Sequence, residues 1–514
     1  MTGEEVFVLK NGQAVLDESL SSKLYKIVDL KPELPYRPDS TAITWDEMGM
    51  AEVFGVCYLE DTRYCIERKS WYVYAEGAWR LDPGKVYMSE KIKEFSRLMS
   101  LYCGEITDER MRSEYFKFIN KMGNRNFRDR ILKDAEGVMA IHETEFDNHP
   151  KLINCLNGTF DLETLKFKPP DPRDLLTMQT NFKYTRDPKP FPRWEEFIME
   201  ICAGDKEKAT YLQKALGYSM LGTANEECMF ILWGKSTRNG KSTLLAAIHH
   251  LLGDYASVAP VSLITQGNDG QAENASPVLA SLKGIRMVTM AESNQQGKLD
   301  EEAIKQMTGG EPLKARRLYE NPFEYTPQFT MWLSCNDLPK VTDRSLFMSD
   351  RLRVIEFTRH FSAEEQQKDL KNVFQTPEAM IGIFTWLITG YFLWLRFGLG
   401  LPKAMQSVVD EYQTNNDIIG QFLREMCDTA DKSVKTRTKT LYDRYKIWCR
   451  GQGEKPYSVK KFSSELDKHP EWYIETGWYS GYKVYKGLKL KGVSEDDGEK
   501  TNTDQSNSTT LPIM

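Results

Sequence analysis

Residues 229–243, Met-Phe-Ile-Leu-Trp-Gly-Lys-Ser-Thr-Arg-Asn-Gly-Lys-Ser-Thr, constrain this chain more than any other stretch. Met229 to Trp233 is an unbroken apolar run and predicts a buried strand. Leu244, Leu245, Ala246, Ile248, Leu251 and Leu252 predict a helix from Thr243 onward. A strand that breaks into a glycine-bounded loop and re-forms as a helix turns backbone N–H groups and a helix N-terminus toward an anion. Lys241 is then placed for the outer phosphates and the Ser242 hydroxyl for Mg²⁺, with Gly234, Asn239, Gly240 and Thr243 framing the cradle. The common pattern encloses four residues between its glycines, whereas Gly234 and Gly240 enclose five. A chance Gly-Lys-Ser in a surface turn is the bland alternative; the strand before and the helix after argue against it.

Two further apolar runs, Ile285 to Ala291 and Phe329 to Cys335, each end in one polar residue, Glu292 and Asn336. In an open α/β sheet, ligands bind beyond the C-terminal ends of the strands, so both residues converge on the cradle. Glu292 suits the Mg²⁺ shell and the polarising of an attacking water; Asn336 suits sensing the terminal phosphate or orienting that water. Alone, either is an ordinary strand-end polar residue. Between these runs the text predicts a helix end, a glycine turn at Gly309-Gly310 and a basic hairpin. Its Lys314, Arg316, Arg317 and Tyr319 suit a phosphate backbone and its bases, a solvated charged hairpin being the alternative. Past Asn336, Arg351 and Arg353 lead an apolar strand. Arginine suits bidentate phosphate contact; a sheet-edge salt bridge is the competing reading.

At roughly 100–200 residues per domain, 514 residues predict about three to four domains. The net charge of −6 excludes a basic nucleic-acid coat and leaves DNA contact to local patches. Nine scattered cysteines without a C-x-x-C pair predict reduced thiols, no zinc site and a cytoplasmic compartment. Residues 1–20 lack the apolar core of a secretory signal. Ala379 to Leu395 carries no charge, yet Gly382 and Gly390 interrupt it and Arg396 closes it, which predicts a buried helix rather than a membrane span.

Residues 1–44 read as a lead-in. From Trp45, aromatic short-period segments predict a small antiparallel sheet with a turn at Glu76-Gly77, then helices at about 90–145 and a hairpin turning at Asn157-Gly158. Together 45–190 forms an α+β N-terminal domain, closed by a proline-rich connector. A helical collar (191–225) leads into an ATPase core (226–405). A linker helix (406–430) precedes 431–491, where Leu441, Tyr445 and Trp448 share one helix face, Phe462 and Leu466 another, and Lys460-Lys461 point outward. Helices followed by a hairpin predict a winged helix, binding duplex DNA by its second helix or docking a protein. Residues 492–514 read as a disordered tail.

The assembled residues resemble the superfamily 3 helicases of phage, plasmid and poxvirus primase-helicases over roughly residues 45–490. Asn239-Gly240-Lys241-Ser242 resembles their Walker A, with the extra loop residue matching a variant of phage members. Glu292 resembles their Walker B, and Lys305 with Thr308-Gly309-Gly310 and Arg316 their middle signature. Asn336 with Pro339 is similar to their sensor segment, and Arg351-Leu352-Arg353 to their arginine-finger strand. At the Walker B position Ala291 and Ser293 flank a single carboxylate. The resemblance implies a P-loop, AAA+-like α/β core, ATP and Mg²⁺ as cofactors, and a homo-hexameric ring on single-stranded or forked DNA. Arg351 or, second, Arg353 then reaches a neighbour's nucleotide. The stretch ahead of residue 45 is too short for a polymerising domain, which implies a separately encoded primase and, for a phage or plasmid gene, a bacterial host cytoplasm. An origin-binding initiator is the alternative function; a metabolic P-loop kinase lacks a small-substrate site here.

Overall fold

The computed structural model describes residues 7–10, 13–16, 18–30, 43–266, 277–291, 297–341, 345–473 and 475–492. Glu292, Ile474 and the tail from residue 493 lie outside the described residues. The chain divides into two compact units, Met1–Pro339 with Ser349–Met405, and Lys340–Met348 with Gln406–Met514.

A five-stranded parallel sheet organises the first unit. Its order is Ala256–Val258, Met287–Ala291, Thr330–Cys335, Met229–Trp233, Leu352–Glu356. Parallel strands covered on both faces read as continuous apolar runs instead of alternating ones. Met229 to Leu232 are accordingly all buried, and Phe230 stacks on Trp332 at 4.4 Å between ring centroids. The chain leaves Met229–Trp233 toward one edge of the sheet and returns to Leu352–Glu356 on the other side. The strand order therefore switches beside the cradle strand, where a crevice opens beyond the strand ends.

The uncharged stretch is the helix Pro377–Phe397, long and apolar enough to cross a membrane by length and composition. Here it packs on the helix Lys206–Tyr218 and donates Ile383, Phe384 and Leu387 to the same core as Phe230 and Leu244. Its glycines are where the backbones meet. A Cβ on Gly390 would lie 2.0 Å from the Gln213 carbonyl oxygen, and one on Gly217 2.2 Å from the Tyr391 nitrogen.

Ahead of the sheet, Thr62–Cys65, Ser70–Ala75 and Ala78–Leu81 form an antiparallel meander. Its second turn is Glu76-Gly77, both at positive φ as a two-residue hairpin turn requires. The short strand Ala140–Ile141 joins it in parallel, so the helical run ends at Val138 and not near residue 145. The next hairpin also departs from expectation. Cys155 pairs with Gly158, so the turn is Leu156-Asn157. Gly158 instead opens the second strand, where a Cβ would sit 2.4 Å from the Lys168 carbonyl oxygen of the third.

The second unit has a core of Phe422, Leu423, Leu441, Tyr445, Phe462, Leu466 and Tyr485. The single linker helix expected at 406–430 is broken: Lys403–Asn416 stops and Ile418–Met426 begins at Asp417, whose carboxylate caps the Gly420 N–H at 2.8 Å. A capping aspartate competes with continued helix. A three-stranded antiparallel sheet, ordered Lys435–Arg437, Tyr482–Lys486, Glu475–Tyr479, completes this unit together with the pair Cys427–Thr429 and Leu488–Leu490.

Candidate nucleotide site and arginine positions

Gly240 caps the helix Lys241–Leu252 with φ 87°, a conformation that costs an L side chain about 1–2 kcal/mol. Space forbids a side chain as well, since a Cβ there would lie 2.3 Å from Ile201 Cγ2. Gly234 is equally enclosed, with the Asn239 amide and the Phe357 carbonyl oxygen each 2.6 Å from its Cβ position. Asn239 is buried and donates to the Ser236 carbonyl at 2.6 Å, closing the loop on itself.

Lys241 is 5% exposed. Its ammonium donates to the Gly234 carbonyl and to Asn336 Oδ1, each at 3.2 Å. Burial lowers its pKa below the usual lysine range, because neutral acceptors replace water without compensating charge. An arriving anion supplies that compensation. The Ser242 hydroxyl at the start of the helix is exposed; one hydroxyl beside phosphate oxygens is a donor set that Mg²⁺ accepts. Thr243 follows on the same turn, and Trp233 Nε1 donates to the Asn336 carbonyl at 3.0 Å, fixing that strand end.

The extra loop residue has a local structural account. Arg238 takes φ 58°, and its carbonyl accepts from Phe361 N at 2.9 Å, while His360 Nδ1 lies 2.9 Å from the Thr237 carbonyl. The longer loop is thus clasped by the segment after the last strand. Between them opens a cleft of about 230 Å³, lined by Arg193, Phe197, Arg238, Thr243 and Phe361 among others. Sequence reasoning missed Phe197, Arg238 and Phe361 as site residues. Only the odd loop length signalled that something beyond the cradle holds it.

Arg351 and Arg353 do not meet this cradle. The Arg351 carbonyl accepts from Met229 N at 2.8 Å, at the start of the cradle strand. The cradle begins five residues later, about 16 Å along the strand. The Arg351 guanidinium donates to Glu227 Oε2 at 2.7 Å and to Thr308 Oγ1 at 2.6 Å, joining it to the Thr308-Gly309-Gly310 segment. Arg353 lies opposite Phe230 in register, with Asp350 Oδ1 at 3.8 Å.

The basic hairpin is Leu313–Ala315 paired with Phe323–Tyr325. Lys314 and Arg316 are exposed, and Tyr319 is wholly exposed at φ 64°. Arg317 points the other way. It forms a bidentate pair with Glu143 at 2.6 and 3.1 Å and lies over the Phe323 ring at 4.4 Å. In the second unit Lys460 and Lys461 are both exposed, the latter over the Tyr457 ring at 4.4 Å. Among the described residues, no group of His, Cys, Asp and Glu is arranged to hold a metal ion.

Three family descriptions match this chain: "D5 N terminal like" over residues 51–203, a family of unknown function over 232–351, and "Poxvirus D5 protein-like" over 414–502. The "Putative helicase L207/L206" of Acanthamoeba polyphaga mimivirus is 27% identical over 423 residues, 75% of this chain and 43% of that protein. The "Putative helicase 121R" of Invertebrate iridescent virus 3 is 25% identical, covering 64% of this chain and 38% of that protein. The chain thus spans less than half the length of these curated relatives. A solved structure of the NrS-1 C-terminal region aligns over 86% of this chain and 100% of its own, at 10% identity and a TM-score of 0.47. With a phosphate cradle between D5-type regions and with these viral relatives, the chain is similar to the superfamily 3 helicases of the phage and poxvirus primase-helicase type.

Proposed function

We propose that the chain is an ATP-driven, ring-forming DNA helicase acting in replication of a virus or mobile element, in the cytoplasm and together with a primase. The observation that carries this reading is the meeting of Lys241 with Asn336 at the ends of two adjacent parallel strands. Lys241 would leave Gly234 and Asn336 to bind the outer phosphates, and Asn336 would then orient the attacking water. Ser242 and Glu292 would hold Mg²⁺, which neutralises phosphate charge when bound.

Arg351 stands at the far end of the sheet from its own cradle, and that supports a role toward the nucleotide of a neighbouring subunit. Such fingers are worth about 10³–10⁵ in rate. Arg351 would exchange Glu227 for a phosphate, and its contact with Thr308 would carry the change toward the hairpin, whose Lys314, Arg316 and Tyr319 would grip a single strand. The hexamer is the family's arrangement; the C-terminal unit, with helices ahead of an antiparallel hairpin, fits a winged helix.

The test is ATP turnover and fork unwinding by Lys241→Ala, Arg351→Ala and their mixture. Each variant alone should be inactive, Arg351→Ala should still bind nucleotide, and the mixture should recover part of the activity. No recovery would refute the action of Arg351 in trans. Turnover without unwinding, together with tight binding to one duplex sequence, would favour the origin-binding initiator.

A further inference from the structure

The hairpin of the second unit carries a surface that the nucleotide site does not use. Glu475–Tyr479 and Tyr482–Lys486 are joined by Ser480-Gly481, with φ of 49° and 80°. Such a tight two-residue turn holds its flanking side chains at a fixed tip. Those flanking residues are Trp478, Tyr479 and Tyr482, exposed at 74%, 53% and 49%. Three large aromatic rings in solvent at one turn exceed what the fold needs, since the core takes only Tyr485 and Val484 from this strand.

Cations accompany the rings. Tyr479 faces Tyr482 across the hairpin, and the same face carries Arg437 opposite Val484 and Lys435 opposite Lys486. Lys435 Nζ sits 3.8 Å from the Tyr479 ring centroid and the Arg437 guanidinium 4.2 Å from that of Tyr482. Lys483 lies opposite Trp478 on the other face of the hairpin. None of these three cations pairs with a carboxylate among the described residues, whereas Glu475 at the other end is taken by Lys486 and Lys432. The tip is therefore aromatic and net positive. An acidic or apolar protein surface would use one of those properties; a nucleic-acid strand with unpaired bases uses both.

We propose that the tip of this hairpin is a stacking platform for unpaired bases of a DNA strand, with Tyr479 and Tyr482, which share one face, against the bases and Lys435 and Arg437 along the phosphates. This rests on the helicase reading for the choice of DNA. It differs from duplex recognition through Lys460 and Lys461, because rings this exposed gain most from bases that are not already stacked in a helix.

The experiment uses the full chain, with fluorescence anisotropy on a labelled oligothymidine and on a blunt duplex, and basal ATP turnover as the control. Tyr479→Ala with Tyr482→Ala should weaken oligothymidine binding about tenfold per ring, leave duplex binding within about twofold and spare turnover. Tyr479→Phe with Tyr482→Phe should restore most of the loss. Lys435→Ala with Arg437→Ala should flatten the salt dependence by about 0.7 per cation removed. An oligothymidine-derived 5-iodouracil probe should cross-link at Tyr479 or Tyr482. Unchanged oligothymidine affinity in the double aromatic variant overturns the platform, as does an equal loss on duplex. Those outcomes leave the helicase reading standing, whereas a wild-type chain that binds neither DNA sinks both.

Discussion

Glu143→Gln tests how the hairpin at 313–325 is held. Glu143 sits in a short 3-10 turn of the N-terminal region, 174 residues from Arg317. Both oxygens of its carboxylate accept from that guanidinium, and its carbonyl accepts from Lys283 Nζ at 2.5 Å. Burial lowers the Lys283 pKa, and the Glu143 charge opposes that effect. An amide keeps the shape but offers one acceptor oxygen and turns an N–H₂ toward a donor. Breaking a buried ion pair costs about 3–5 kcal/mol. The Glu143 side chain is 11% exposed and that of Arg317 21%, which discounts the loss to roughly 2 kcal/mol. A chain of several domains need not unfold in two states, so the readout should be local. Hydrogen exchange at the Leu313–Ala315 and Phe323–Tyr325 amides should speed up about thirtyfold. In a double-mutant cycle, Glu143→Gln and Arg317→Met should couple by more than about 1 kcal/mol. Additivity within about 0.5 kcal/mol would refute the account and leave Tyr325, whose hydroxyl donates to the Leu279 carbonyl at 2.6 Å, as the hairpin's anchor.

Gly240→Ala should lose nucleotide binding and at least about 1–2 kcal/mol of stability from the backbone alone, read by thermal shift with and without nucleotide; a variant that binds normally would mean the loop does not need φ 87°. His142 is held above its usual value of 6.5 by its hydrogen bond to Glu67 at 2.8 Å. A raised folded value means its contribution is complete below about pH 6.5 and fades as pH rises through that value. The melting-temperature gap between wild type and His142→Gln should therefore shrink from pH 5.5 to pH 8.5, and a constant gap would contradict the pairing.

The cradle was legible in the chain because the elements that form it are local. The strand, the loop and the helix start are consecutive and two glycines mark them, although Ile201 Cγ2 and the Phe357 carbonyl oxygen, which exclude a Cβ there, come from elsewhere in the chain. Four strands of the sheet were legible for a related reason, since burial on both faces leaves a short apolar run, whereas the three-residue edge strand Ala256–Val258, with Val258 exposed, leaves none. The helix Pro377–Phe397 was read from its uncharged run and the residues that close it, and the one-sided pattern of Leu441, Tyr445 and Trp448 from periodicity. The Leu156-Asn157 turn was misplaced by one residue because the glycine beside it serves the third strand, a contact from outside the hairpin.

Charged partners were a different matter. Arg316 and Arg317 are neighbours of identical type, yet one is in solvent and the other is bound to Glu143. Lys241 meets Asn336 across 95 positions of sequence, and Arg351 meets Thr308 instead of its own cradle. A side chain's type sets which partners it can satisfy, while the sheet order sets which are within reach. The sequence by itself therefore determined the elements of the phosphate cradle, four of the five sheet strands and the apolar faces. Tertiary structure decided which cations stay free for a ligand, because only the folded topology fixes the distances over which charges pair.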